Sequence, residues 1–130
     1  MNMRLIIIIA LIALTLSSTP AQKSAGHFKV EYPKTSNPDY ERWRKELQEE
    51  RVLEALAADL NSTFKLPVDV TITFAECKEA NAFYDPERKR IELCYELIDQ
   101  FYEDFSKEAT SPEVLEEQVV NATIFVFYHE

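Results

Sequence analysis

The stretch "SPEVLEEQVVNATIFVFYHE" (residues 111–130) decides the fold. Its second half, "VVNATIFVFY", is rich in β-branched and aromatic residues and by itself suits a strand. Its beginning argues for a helix. Ser111 is a good N-cap, Pro112 fits the first helical position, and Glu113 favours the positive end of a helix dipole. Leu115, Val119, Ala122, Val126 and His129 then recur at steps of four, three, four and three residues, the spacing of one helical face. Cap and register together predict a helix. Because "TIFVFY" is apolar on nearly all sides, that helix is expected to be buried at the centre of the core, with His129 on its core-facing stripe and Glu130 beside it.

The segments upstream supply a sheet and more helices. In "CKEANAFYDPERKRIELCYELIDQFYEDF" (77–105), Asp85-Pro86 is a turn starter that separates two extended pieces, "AFY" and "RIEL". From Cys94 the period becomes helical: Cys94, Ile98, Phe101 and Phe105 share a face, while Glu96, Asp99, Glu103 and Asp104 share the other. "LPVDVTITF" (66–74) alternates, with Val68, Val70, Ile72 and Phe74 on one side, and reads as a strand with one buried face. "NPDYERWRKELQEERVLEALAADL" (37–60) reads as one amphipathic helix capped by Asn37, with Tyr40, Trp43, Leu47, Leu53, Leu56, Ala57 and Leu60 on its apolar face. Residues 22–37, which hold the single glycine Gly26 and His27, read as a leader or linker. The expected class is therefore α+β: helices packed on a small β-sheet, with a C-terminal buried helix carrying His-Glu.

The chain has 130 residues, enough for one domain. Its opening, "MNMRLIIIIALIALTLSSTPAQ" (1–22), has Arg4 ahead of an apolar run from Leu5 to Leu16 and then small residues, the order of a secretory signal. The apolar run falls short of the ~20 residues a spanning helix needs. Cleavage after Ala21 is expected, with an uncleaved anchor as the alternative, and the location is secreted or periplasmic. The remainder carries 13 basic against 23 acidic residues. A net charge of that sign repels nucleic acid and anionic lipid, so neither nucleic acid nor, after signal cleavage, a membrane is an expected partner. An even pair of cysteines, Cys77 and Cys94, most simply forms a disulfide in an oxidising compartment. The competing use is a zinc site made of both thiolates and His129.

His129 and Glu130 match the first two letters of HExxH. That motif sets two histidines one helical turn apart for a zinc ion, with the glutamate aimed at the metal-bound water as general base. The dipeptide alone is a weak signal, and a polar chain end explains it equally well. The surrounding pieces add weight: "NAFYDPERKRIELCYELI" (81–98), a helical stretch, and "ATIFVFYHE" (122–130) occur in that order. In this the chain resembles the zincin metallopeptidases, and more closely a family of exported bacterial metallopeptidases. The resemblance implies that His129 is the first zinc ligand and Glu130 the catalytic carboxylate. It further implies that Arg90, Ile91, Glu92 and Leu93 form an edge strand that pairs with an extended peptide or protein substrate, and that Asn81 is the family's asparagine. Residues 38–130 would then be the N-terminal portion of a zincin-like domain, truncated within the motif, since the second histidine falls four positions after His129. Zinc is expected only for a complete ligand set. The rival readings are a small disulfide-stapled exported binding or inhibitor domain, and a zinc-stabilised module built on the thiolates.

Overall fold

The computed structural model describes residues 25–130, so the proposed signal segment lies outside the described residues. The element order is β1 (Phe28–Glu31), α1 (Pro38–Glu49), α2 (Val52–Thr63), β2 (Val70–Ala75), β3 (Ala82–Asp85), β4 (Arg90–Cys94), α3 (Tyr95–Phe105) and α4 (Pro112–His129). The four strands form one mixed sheet in the order β1-β2-β4-β3. β2 runs parallel to both β1 and β4, and β3 closes back antiparallel on β4. The fold is α+β, as the alternation of periods predicts.

Strand alternation assigns the two faces. Phe28 and Val30 of β1, Val70, Ile72 and Phe74 of β2, and Ile91 and Leu93 of β4 share the face that meets the helices, where they join Tyr40, Leu53, Ala57, Leu60 and Tyr95 in the core. The opposite face carries Lys29, Glu31, Thr71, Thr73, Arg90 and Glu92. Thr73 is fully buried there although it faces away from the helices. Its Oγ1 donates to the Glu31 carbonyl at 3.0 Å, and its cross-strand neighbours are Glu31 and Glu92. Arg90, on the same face, makes a 2.6 Å ion pair with Glu31.

Residues 37–60 form two helices. α1 begins as read, with the Asn37 side chain accepting from the Asp39 amide and Pro38 in the first turn, but it stops at Glu49. Arg51 then adopts a left-handed conformation (φ 56°) and starts α2. The apolar spacing contains the reason. Tyr40, Trp43 and Leu47 keep helical steps, as do Leu53, Leu56 and Leu60, but the step from Leu47 to Leu53 is six residues. A straight helix would turn the second set off the sheet. The break resets the phase, and Leu53, Ala57 and Leu60 all become buried.

The stretch expected as a leader contains β1. Phe28, Val30 and Tyr32 alternate with Lys29 and Glu31, a short period-two signal, and the strand pairs with β2 from Phe28↔Val70 to Glu31↔Thr73. The Asn61 side chain holds its start like an extra piece of backbone, accepting from the Phe28 amide at 2.8 Å and donating to the Phe28 carbonyl at 3.0 Å. Gly26 pairs with Leu66 just ahead of it, at 2.8 Å. A Cβ on Gly26 would stand 2.0 Å from the Val68 backbone, so no side chain fits while the two segments stay in place. Gly26→Ala is expected to lower stability by about 1–3 kcal/mol through that overpacking. Urea denaturation reads the loss, and hydrogen exchange should show the amides of β1 opening first. An unchanged midpoint would mean that the segment carries none of the stability.

Candidate active site

α4 forms where the cap and spacing place it. The Ser111 hydroxyl accepts from the Val114 amide at 3.3 Å, Pro112 occupies the first turn, and the helix continues through His129. Its last described hydrogen bond runs from the Glu130 amide to the Val126 carbonyl at 3.3 Å. The packing differs from expectation. α4 lies against α3 and buries Val119 and Phe127, while Val120, Ile124, Phe125 and Tyr128 are exposed, Phe125 at 74%. The helix is thus flanking rather than central, because a single apolar stripe has protein against it and the other apolar sides do not. His129 and Glu130 are exposed as well. His129 follows Val126 on the stripe at a three-residue step, but at the last turn of the helix its side chain is exposed.

Cys94 ends β4 and serves as the N-cap of α3, with its side chain fully buried. It forms a disulfide with Cys77, with Cα atoms 5.4 Å apart. Glu96, in the first turn of α3, accepts from the amides of Cys77 (3.1 Å) and Lys78 (2.7 Å). Those bonds hold Lys78 in its left-handed conformation (φ 65°). The loop is tied once more where the Cys94 amide donates to the Asn81 carbonyl at 3.0 Å, and β3 begins at the next residue. Asn81 thus sits at the entry to β3, with its exposed side chain accepting from the Ala82 amide at 2.9 Å.

The strand expected at the sheet edge is interior. Arg90, Ile91, Glu92 and Leu93 belong to β4, which is paired with β2 on one side and β3 on the other. Its backbone donors and acceptors serve those two ladders, so no substrate strand can add to it. The free edge on that side is β3, Ala82–Asp85. The Asp85-Pro86 turn folds "AFY" back over "RIEL", and that hairpin moves the edge outward by one strand. Asp85 fixes the turn by accepting from the amides of Glu87 (2.9 Å) and Arg88 (3.0 Å), which holds its carboxyl below the usual carboxylate range.

The profile of a family described as "Putative metallopeptidase" matches residues 32–130, from just after β1 through Glu130. The chain belongs to this family. No curated protein and no solved structure compared with the chain matches it. The matched span includes β2, the β3–β4 hairpin, α3 and α4, so the family covers the His129-Glu130 pair, the disulfide and the free edge together. No helix among the described residues is long and apolar enough to cross a membrane.

A metal is the natural partner of a metallopeptidase family, and the donors can be tested against it. Among the described residues, the group of three potential donors that converge is Cys77, Cys94 and Glu96. Two of those are consumed by the disulfide, and the third is occupied by the amides of Cys77 and Lys78. His129 has no second donor gathered beside it in that set. A catalytic zinc centre takes three protein ligands and a water. Residues 25–130 as arranged here therefore do not make up a zinc site. They present one imidazole and one neighbouring carboxylate at the end of a preformed helix.

Proposed function

We propose that this protein acts in peptide-bond hydrolysis as a zinc metallopeptidase exported from the cytoplasm, with His129 as one metal ligand and Glu130 as the carboxylate that handles the proton of the attacking water. The observation that carries the reading is that the family match extends through a helix whose last turn presents His129 followed by Glu130. Helical geometry supports the assignment, since a ligand four residues beyond His129 would share its face. The further ligands a zinc centre needs are not among the donors that converge within residues 25–130. The substrate is an extended peptide or protein segment, and the open edge of β3 offers it backbone donors and acceptors in the manner of strand addition. Export is supported by the Cys77–Cys94 disulfide, which persists in oxidising compartments.

The test uses the protein expressed from its complete reading frame. Zinc content and hydrolysis of a denatured protein substrate are measured for the wild type, His129→Ala and Glu130→Gln. His129→Ala should lose most of the bound zinc and all detectable hydrolysis. Glu130→Gln should keep the zinc and lose hydrolysis by about 10²–10⁴, the usual contribution of a positioned general base. Hydrolysis by His129→Ala, or by Glu130→Gln at close to the wild-type rate, overturns the assignment, as does a wild-type protein that binds zinc and cleaves nothing.

A further inference from the structure

α1, α2, α3 and α4 leave between them a groove of about 470 Å³, whose lining includes neither His129 nor the two cysteines. Its walls are aromatic. Trp43 stands 6.0 Å from the ring of Tyr102 and 6.4 Å from that of Tyr95, with Phe74 of β2 beneath. Its polar lining is of one sign: Glu46 and Glu50 from the end of α1, and Glu116 from α4, with no basic residue among those that line it. Glu46 has a distant Arg42 at 4.0 Å, while Glu50 and Glu116 have no ion-pair partner among the described residues. Burial raises the pKa of the Tyr102 hydroxyl, and the nearby charges of Glu116 and Glu46 raise it further, so the field of both carboxylates reaches the groove wall.

Two features set the size and chemistry of an occupant. Aromatic faces rimmed by unpaired carboxylates attract a cation whose stem is apolar, because ring faces and carboxylates both favour positive charge. The apolar surface also continues beyond the groove. Val120, at its lip, is followed along α4 by Ile124 and Tyr128 at four-residue steps, exposed by 49%, 47% and 58%. That track is ~12 Å long at the helical rise of 1.5 Å per residue, which is more than one small molecule covers and about the length of a short peptide segment. An exposed apolar strip bordered by charge is the usual mark of a protein contact.

We propose that this groove is a docking site for a basic, amphipathic peptide segment, which places a lysine or arginine against Trp43 and Tyr102 between the carboxylates and lays apolar side chains along Val120, Ile124 and Tyr128. The groove is lined by neither His129 nor Glu130, and the apolar strip leading from it ends at Tyr128, beside His129. It matches the sign of the whole chain, whose net charge of −9 draws cationic partners and repels acidic ones.

Trp43 is the single tryptophan, so its fluorescence reports on this groove alone. The protein is titrated at low salt with a model amphipathic peptide of alternating lysine and leucine turns, with its glutamate-for-lysine counterpart, and with tetrapropylammonium. The basic peptide should shift the Trp43 emission saturably and bind more tightly than either control. High salt should weaken it, and Glu50→Gln/Glu116→Gln should weaken it by up to about fivefold per carboxylate. Both glutamates are exposed, so the double variant should keep the wild-type circular dichroism and melting point. Silence of Trp43, equal binding of the acidic peptide, or indifference to the double variant overturns the proposal. So does binding of tetrapropylammonium as tight as that of the peptide, which assigns the groove to a small cation. An emission shift that follows protein concentration instead of peptide also overturns it, since a second copy of the chain is then the occupant.

Discussion

Tyr95→Ala should lower the unfolding free energy by about 3–5 kcal/mol, the range for deleting a fully buried aromatic ring. Tyr95 is 1% exposed and starts α3 directly after the disulfide. Its ring stacks on Tyr40 at 5.3 Å and on Phe74 at 5.6 Å, so it joins α1, α3 and the central strand β2. Tyr95→Phe separates the ring from its hydroxyl. That oxygen is buried without a hydrogen-bond partner among the described residues. Removing it should leave stability unchanged or raise it by up to about 1 kcal/mol, since an unpaired buried hydroxyl carries a desolvation penalty. Urea denaturation of the two variants decides the matter, and a loss of more than about 1 kcal/mol in Tyr95→Phe would show that the hydroxyl is bonded after all. The same group predicts a response to alkali. Burial pushes Tyr95 up to about 12, and burial with bonds to Glu54 and Asp99 raises Tyr32 and Tyr40 as well. An unfolded tyrosine ionises near pH 10. Stability conferred by these neutral hydroxyls is therefore complete below pH 10 and is lost as the pH rises from there towards 12. Tyr95→Phe should blunt that loss.

Removing the Cys77–Cys94 bond should cost about 3 kcal/mol, the chain-entropy value for a loop of roughly this length. The two residues are 17 apart, and the loop between them contains all of β3 and β4. In a domain whose total stability is of the order of 5–15 kcal/mol, such a loss lowers the melting midpoint by roughly 10 °C. A Cys77→Ala/Cys94→Ala variant, or the wild type with a dithiol reductant, should both show it by calorimetry. Alanine is the better replacement, because Cys94 is fully buried and a serine hydroxyl there would need a partner. Equal midpoints under oxidising and reducing conditions would remove the disulfide from the account of stability.

Much of this fold was legible in the chain. Asn37-Pro38 and Ser111-Pro112 mark helix starts by local chemistry that tertiary packing leaves intact, and both caps form. The Asp85-Pro86 turn and the period-two run through Val70, Ile72 and Phe74 were read from equally local signals. Arg51 was not legible, because the break has no glycine or proline and shows only as the six-residue step between Leu47 and Leu53. β1 was missed because four residues of alternation beside the flexible-looking Gly26 are too short to outweigh a linker composition. Thr73 lies on the side of β2 opposite Val70, Ile72 and Phe74, yet it is fully buried, and its hydroxyl's partner Glu31 is 42 residues away in sequence. The placement of Arg90–Leu93 at the edge failed for a related reason: strand order is a global property, and nothing within "RIEL" says which side β3 will take. The exposure of α4 is the largest departure. Apolar composition set the expectation of burial, yet burial requires a second surface, and within residues 25–130 only one side of the helix has one.

The topology of the sheet also governs when it can be completed. β2 has no sequence-adjacent partner on either side. Phe28 pairs with Val70 across 42 residues, and Ala75 pairs with Cys94 on the far side of β3 in sequence. Ribosomal synthesis therefore delivers β1 long before its one neighbour, β2, and the full four-stranded sheet cannot form until residue 94 is free of the exit tunnel. A nascent chain held open in this way remains a pliable thread, which is the physical state that a secretion channel accepts.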